Sequence, residues 1–249
     1  MKLKFYPFLA ISALLSALAF SPTSFHRQSA PPTETSAIPR NPHISFAQLP
    51  MSFEPNVGQV DKRVNYFARG AGYTIFLTKD ETVLSLQGRQ HGSAVVRLNF
   101  GAPYHAAKIE PLDELLGKSN YFIGNDPKLW HTDVPLYSKV RYTKVYPGID
   151  VVYHGNQRQL EYDFVVAPNA DPNAIKLNFS GADKIDINDA GNLVLHAGTG
   201  ELVLQKALAY QQINGRRRLI SASYYFTRTR QRTDSPTHPH THKIGRAHV

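Results

Sequence analysis

The chain of 249 residues contains no cysteine, and this absence excludes several kinds of chemistry. Disulfides, cysteine-ligated metal sites, a cysteine nucleophile and lipid attachment through a cysteine are all impossible. Tryptophan is also scarce, since Trp130 is the only one. A domain without covalent staples must fold on its hydrophobic core alone, which is feasible above ~100 residues.

The familiar signatures of catalysis are missing as well. The sequence has no Gly-x-Ser-x-Gly motif, no P-loop, no His-Glu-x-x-His and no dinucleotide-binding fingerprint. Serine and histidine occur, but no spacing links them into a recognisable site. We therefore predict a protein that is not an enzyme and uses no cofactor.

An excess of positive charge occurs only at the two ends of the chain. The whole sequence has 28 basic and 19 acidic residues, a net charge of +9, but 19 basic and 17 acidic residues lie between Asn41 and Thr227. A high isoelectric point otherwise suggests nucleic acid or an anionic membrane as a partner. Because the folded part is close to neutral, we predict neither partner for it.

The one long hydrophobic run lies at the amino terminus. Lys2 and Lys4 precede an apolar run from Phe5 to Phe20, and Ala17-Leu18-Ala19 has the small-x-small pattern of a cleavage site. The run is shorter than the ~20 apolar residues that span a bilayer. We predict that residues 1–19 are a signal peptide, with an uncleaved anchor as the alternative. The protein is then exported to the periplasm, the cell surface or the medium.

Two segments lack the pattern of a folded domain. Residues 20–48 are rich in Pro, Ser and Thr, which predicts a disordered spacer. Residues 228–249 are rich in Arg and His, and their last seven residues, KIGRAHV, match one reading frame of a common sequencing adapter. We predict a non-native or frame-shifted tail. A metal-binding tail is the alternative, but its histidines have no apolar neighbours to fix a geometry.

Between these segments, residues 49–227 alternate short apolar and polar runs with Gly, Asn, Asp and Pro. This pattern is typical of an all-β domain. The clearest hairpin, Ile149–Val166, turns at Gly155-Asn156. We predict an antiparallel β-sandwich-like domain with little helix apart from the signal peptide. It forms one lobe, or two lobes divided at 112–134.

Two stretches of this body invite more specific predictions. Pro111–Lys118 predicts a single helical turn closed by Gly117. Leu219–Phe226 alternates like a strand with neighbours on both sides, but the polar tail follows it within a residue or two. We therefore predict that the domain is truncated at its carboxyl-terminal end.

Two long segments carry a family resemblance. They are LPMSFEPNVGQVDKRVNYFARGAGYTIFLT, from Leu49 to Thr78, and LLGKSNYFIGNDPKLWHTDVPLYSKVRYTKVYPGIDVVYHGNQRQLEYDFVV, from Leu115 to Val166. The chain resembles the amino-terminal domain of unknown function that precedes SBBP-type β-propeller repeats in large exported bacterial proteins. The resemblance implies that propeller repeats follow in the intact protein, and it implies no activity. We expect a non-catalytic structural or interaction module of a multidomain surface protein.

An aromatic-rich connection offers candidate ligand-binding residues: Trp130, His131 and Tyr137, with Tyr121 and Phe122 nearby. Apolar neighbours such as Leu129 and Val134 favour burial of these rings in the core. The alternative is a carbohydrate-binding platform. The partners expected for the domain are therefore other domains of the same chain or surface glycans.

Glu161 and Asp163 are candidate catalytic residues of a second alternative, a glycosidase-like enzyme. They lie two apart on a predicted strand, so they share one face. A carboxylate pair is what glycoside hydrolysis needs. Alternation of polar residues on a sheet face produces the same spacing, and this is the reading that we prefer.

A cluster of oxygen-bearing side chains provides candidate metal ligands. Asp186, Asn188 and Asp189, with Asp183 before them, precede Gly191. They could offer oxygens to calcium, but they lack the regular spacing and terminal Glu of a calcium loop. An Asp/Asn/Gly turn explains the same residues, so we predict no bound metal.

Overall fold

The structure is a computed structural model that describes residues 9–17, 51–70, 72–87, 93–101, 108–156, 159–198, 200–227 and 242–245. The predicted spacer at 20–48 lies outside the described residues. So does most of the predicted signal peptide and of the predicted tail. For residues 9–17, Asn156 and 242–245 only the backbone is described.

Eighteen strands and two short 3₁₀ turns make up the described chain. The strands are β1 Leu9–Ala17, β2 Phe53–Pro55, β3 Val64–Arg69, β4 Tyr73–Thr78, β5 Thr82–Gln87, β6 Ser93–Asn99, β7 Lys108–Tyr121, β8 His131–Tyr146, β9 Ile149–Asn156, β10 Gln159–Val166, β11 Lys176–Ser180, β12 Lys184–Ile187, β13 Leu193–Ala197, β14 Gly200–Leu204, β15 Leu208–Ile213, β16 Arg216–Ile220, β17 Tyr225–Phe226 and β18 His242–Gly245. The 3₁₀ turns are Pro127–Leu129 and Pro172–Ala174. In the described part of the chain, neither helical segment has the length and apolarity that crossing a membrane requires.

Antiparallel pairing joins these strands into one curled sheet. From one end it runs β17, β18, β11, β6, β5, β4, β3, β2 and β8. It continues through β9 and β10 to β1, while β7 pairs with the other edge of β8. β1 then pairs with β14 of the β12–β13–β14 meander and with β15 of the β15–β16 hairpin. The predicted all-β, antiparallel sandwich-like class is confirmed.

The curled sheet encloses a single hydrophobic core. Its centre is a layer of rings from β8, β9 and β10, because strand alternation points them inward together. Tyr142 packs edge-on against Tyr153 with ring centroids 5.4 Å apart, and Tyr153 lies 5.9 Å from Tyr162. Phe164 then contacts Phe100 at 5.5 Å. Edge-to-face ring pairs stabilise a core beyond the area that they bury.

Three of these tyrosines also make hydrogen bonds to distant segments. The Tyr142 hydroxyl donates to the carbonyl of Thr78 at 2.7 Å, and the Tyr153 hydroxyl lies 2.6 Å from Thr82 Oγ1. The Tyr146 hydroxyl lies 2.7 Å from the carbonyls of both Phe100 and Lys176, and accepts from the Lys176 amide at 2.9 Å. In a chain without disulfides, these bonds tie sequence-distant strands to the centre of the core.

Residues 112–134, expected as a loop-rich lobe boundary, form most of a long hairpin. β7 continues to Tyr121, and β8 begins at His131. The helical turn predicted at Pro111–Lys118 is wrong, because this stretch is strand. Asp113 has a φ of 55°, and the register with β8 shifts just after it. A bulge in the strand thus accounts for the polar, Gly-containing pattern that suggested a turn.

Other local predictions are corrected by one or a few residues. Leu219–Phe226 is not one strand: β16 ends at Ile220 and β17 starts at Tyr225. Ile220, Ala222 and Tyr224 do pack against the core at alternate positions, whereas Leu219 is 69% and Phe226 47% exposed. β9 extends through Gly155 and Asn156, so these two residues are strand and not the predicted turn.

The amino-terminal run also differs from its expected conformation. Helix was expected in the predicted signal peptide, but Leu9–Ala17 forms strand β1. An apolar run of nine residues is compatible with either conformation. Here the edges of β10, β14 and β15 supply backbone hydrogen-bond partners that favour the strand.

Tyr146 and Tyr162 form a matched pair for testing the hydroxyl bonds. We expect Tyr146→Phe to lower the free energy of unfolding by about 1–3 kcal/mol, because it leaves buried carbonyls without a donor. The Tyr162 hydroxyl is buried and has no hydrogen-bond partner. Tyr162→Phe is therefore expected to be neutral or stabilising.

Chemical denaturation at neutral pH measures both variants. Equal losses of stability for the two variants would show that the Tyr146 bonds contribute nothing specific.

Candidate functional site

The connection between β7 and β8 is a structured turn. The Asp126 side chain accepts from the Lys128 amide at 3.0 Å and so caps the 3₁₀ turn Pro127–Leu129, which Trp130 closes with a bond from its amide to the Pro127 carbonyl. The Trp130 indole donates to the Gly124 carbonyl at 3.3 Å. Backbone and indole bonds together link Gly124, Asp126, Pro127 and Trp130 within the loop.

Four apolar side chains at this loop are exposed to solvent. We call them the aromatic tip: Phe122 is 65%, Ile123 46%, Leu129 56% and Trp130 37% exposed. The Phe122 and Trp130 rings meet edge to face at 90°, with centroids 5.1 Å apart. The prediction that Trp130 is buried in the core is wrong. Its expected neighbour Leu129 is itself exposed, and the indole pairs with the Phe122 ring at the end of a hairpin.

The three predicted ligand-binding residues do not form one platform. His131 is half-buried beneath the tip, where a Cβ at Gly58 would lie 3.1 Å from its Nε2 atom. Tyr137 lies six residues further along β8, in register with Phe53 of β2. At ~3.3 Å per residue, that separation along the strand is ~20 Å. Only Trp130 of the three belongs to the aromatic tip.

A buried carboxylate anchors the base of the tip, and sequence reasoning missed it. Glu54, 7% exposed, accepts hydrogen bonds from Arg69 at 2.8 Å and from the Tyr121 hydroxyl. The Arg69 guanidinium also lies 4.7 Å from the centre of the Phe67 ring. Burial, and next the bond to Glu54, raise the pKa of Tyr121. No local sequence pattern predicts this cluster, because its members come from β2, β3 and the end of β7.

Glu161 and Asp163 lie together on β10, as predicted, and both face His154 of β9. The His154 Nε2 atom is 3.1 Å from Asp163, and its Nδ1 atom is 3.7 Å from Glu161. The second Asp163 oxygen is buried without a hydrogen-bond partner. The bond to Asp163 raises the pKa of His154 against the opposing effect of burial, and Glu161 adds to the rise. The two carboxylates share one imidazole, an arrangement that suits ion pairing across strands.

A second histidine is flanked in the same way. His196 of β13 lies 3.1 Å from Asp186 of β12 and 3.2 Å from Glu201 of β14, and Lys184 also pairs with Asp186 at 2.7 Å. Asp186 was a candidate metal ligand. Its carboxylate is instead engaged by two cationic or hydrogen-bonding side chains.

The remaining candidate metal ligands have separate local roles. The Asn188 side chain accepts from the amides of Ala190 and Asn192 and shapes the turn before β13. Asp183 accepts from the Gly198 amide at 2.8 Å, and Asp189 is exposed in the turn. Within the described ranges, no group of three or more His, Asp or Glu side chains is arranged to hold a metal ion.

The fold and these clusters define a class: an all-β, cysteine-free antiparallel domain with an exposed aromatic hairpin loop. Residues 53–235 match the profile of the domain of unknown function DUF7948, and the chain belongs to this family. The match begins close to the predicted domain start and extends beyond Thr227 into residues 228–235. Searches of curated proteins and of solved structures found no match.

Partial exposure of Trp130 has a measurable consequence. We expect Trp130→Ala to lower the free energy of unfolding by about 1–2 kcal/mol, less than the loss of a fully buried ring, because 37% of this residue is already exposed. Phe53→Ala is the control, since the Phe53 ring is fully buried and its loss should cost ~3–5 kcal/mol. Because Trp130 is the single tryptophan, the tryptophan fluorescence of the protein should also be quenched efficiently by iodide. A loss above 3 kcal/mol in Trp130→Ala would contradict its exposed position.

His154 should make stability depend on pH in a definite direction. Its folded-state pKa is raised above the ordinary value, so the protonated ring stabilises the fold. This contribution is complete below pH ~6.5, the usual unfolded value, and is lost as pH rises through the higher folded-state pKa. His154→Gln should remove this fall in stability, and Asp163→Asn should reduce it. The measurement is denaturation midpoint between pH 5 and 9, and an unchanged profile in His154→Gln would refute it.

Proposed function

We propose that this domain is a non-catalytic interaction module of an exported, multidomain surface protein that continues into β-propeller repeats. The aromatic tip is the observation that carries the proposal. A cluster of exposed apolar side chains marks a contact surface more often than single, scattered apolar residues do. The Glu54–Arg69–Tyr121 cluster fixes the end of β7 beneath them, so the tip is presented without a large entropic cost on binding.

Carbohydrate is the partner chemistry that the tip favours. Four side chains offer much less surface than the ~800 Å² per partner of a stable protein interface. An exposed indole beside a phenyl ring provides a stacking surface for the apolar face of a sugar, and Asp126, Lys128 and His131 lie next to it in sequence. Small sites of this kind combine apolar rings with a few polar groups.

A glycosidase-like role for Glu161 and Asp163 is less well supported. Both side chains are engaged with His154 on a strand, whereas glycoside hydrolysis needs two carboxylates placed on either side of a sugar. Assay of a panel of glycoside substrates with wild type and Glu161→Gln decides this point. We expect no turnover by either protein. Turnover by wild type that disappears in Glu161→Gln would establish the enzyme.

Binding to an array of neutral and acidic oligosaccharides tests the carbohydrate proposal. We expect the exported protein to bind at least one class of glycan on the array, and we expect Trp130→Ala to weaken that binding at least tenfold. Leu219→Ala is the matched control, because Leu219 is exposed but lies on β16, which is not part of the β7–β8 hairpin. Loss of binding in both variants would mean that the tip is not the site.

Absence of any bound glycan would overturn the carbohydrate proposal. The tip would then be tested against the domain that follows in the same polypeptide, by comparing association with wild type and with Trp130→Ala.

Export is tested by the mass of the secreted protein. Cleavage after Ala19 should place the amino terminus at Phe20, as the Ala17-Leu18-Ala19 pattern predicts. Recovery of a membrane-bound protein that retains Met1 would contradict both signal cleavage and release.

A further inference from the structure

The strand Leu9–Ala17 occupies a gap in the sheet that no other described strand fills. On one side, residues 9–15 pair with β10, from Leu9 opposite Val166 to Leu15 opposite Leu160. On the other side, residues 9–12 pair with β15 and residues 15–17 pair with β14. We call this gap, between β10 and the combined edge of β14 and β15, the strand slot.

The strand slot has open backbone edges on both sides when β1 is removed. The remaining registers pair β10 only with β9, β14 only with β13 and β15 only with β16. The β12–β16 strands would then share no ladder with β2–β11 in the described chain. Unpaired edges are binding sites for an extended peptide, because their amide and carbonyl groups are already aligned.

The core side of the slot is apolar. β10 buries Leu160, Tyr162, Phe164 and Val166, and the opposite edge buries Leu202, Leu204 and Ala209. Across from the buried β10 residues, the register places Leu15, Ala13, Ile11 and Leu9. A strand buried on its core side needs apolar residues at these alternate positions.

The segment that fills the slot is the apolar part of the predicted signal peptide. All nine residues, LAISALLSA, are uncharged. Uncharged apolar residues suit both an export signal and a strand at the edge of a core. The predicted cleavage point after Ala19 lies two residues beyond the end of β1.

We propose that the strand slot is a binding site for an extended, uncharged apolar peptide, and that residues Leu9–Ala17 of the same chain are its occupant until the leader is removed. Cleavage then converts two internal ladders into open, strand-accepting edges. The binding itself does not depend on cleavage. Only the opening step rests on the proposed export, so failure of export would leave the slot and its occupant in place.

Disulfide trapping in the full, uncleaved chain tests the register directly. The protein has no cysteine, so an introduced pair reports only on itself. The in-register pairs are Ala10→Cys with Val165→Cys on one edge and Ser12→Cys with Leu208→Cys on the other. Each residue of an antiparallel strand directs both of its backbone hydrogen bonds to the same neighbouring strand, and Ala10 and Ser12, two residues apart, direct theirs to the same side. One of the two in-register pairs is therefore non-hydrogen-bonded, and its Cβ atoms have the shorter separation that a disulfide needs.

The off-register control is Ala13→Cys with Val165→Cys, displaced by three residues or ~10 Å along the strand. On mild oxidation we expect an intramolecular disulfide in at least one in-register pair and none in the control. Equal cross-linking in all three, or none in any, would overturn the proposal. Disulfide-linked dimers would assign the slot to a second copy and would likewise overturn the intramolecular occupant.

A second measurement avoids changes in the slot itself. A protease site introduced within residues 20–48 allows the folded chain to be cut while β1 stays in place. We expect the leader fragment to co-elute with the domain after the cut, and an excess of labelled synthetic peptide LAISALLSA to replace it. A peptide of the same length, with Asp in place of Ile11 and Ala13, is the control and should not bind. Immediate release of the fragment without peptide uptake would refute the strand slot.

Discussion

The ring layer formed by Tyr142, Tyr146 and Tyr153 is the interaction on which the rest of this fold depends. These side chains bury their rings in the core and direct their hydroxyls at backbone or side-chain oxygens of β4, β5, β11 and Phe100, the residue after β6. A buried hydroxyl is costly unless it is bonded, so each bond constrains the position of a distant strand. In many exported domains disulfides link distant segments of the chain. In this protein, which has no disulfide, the tyrosine hydrogen bonds join distant strands.

The β7–β8 hairpin differs from the rest of the sheet in its exposed apolar loop. The β7–β8 hairpin extends outward from the core, and its loop carries apolar residues that the core does not cover. Glu54 stabilises the base of this hairpin because its buried carboxylate is compensated by Arg69 and Tyr121. The aromatic tip is therefore exposed by the geometry of the sheet and held in place by a polar cluster. This combination is the basis of the interaction module that we propose, since a fixed hairpin end has less conformational freedom to lose on binding.

The same arrangement of a histidine with two carboxylates occurs twice in the sheet. His154 and His196 each sit between two carboxylates from neighbouring strands, so that pairing across strands supplements the backbone ladder. The His154 pair lies on β9 and β10, beside the strand slot. β10 thus carries side chains that pair with His154 of β9, and its backbone groups on the other side bond to β1 of the amino-terminal run.

The sequence by itself determined the fold class, most strands and several turns, because period-two alternation and Asn-Gly signals act over a few residues. Asn214-Gly215 is an example: both residues have the positive φ that a tight hairpin turn requires, and they join β15 to β16. Local pattern also placed Glu161 and Asp163 on one face. Tertiary structure alone decided that they flank His154, that Trp130 is exposed rather than buried, and that an apolar run suited to a signal can complete a sheet. These outcomes depend on which distant strand edges and side chains meet in space, and no short window of sequence contains both partners.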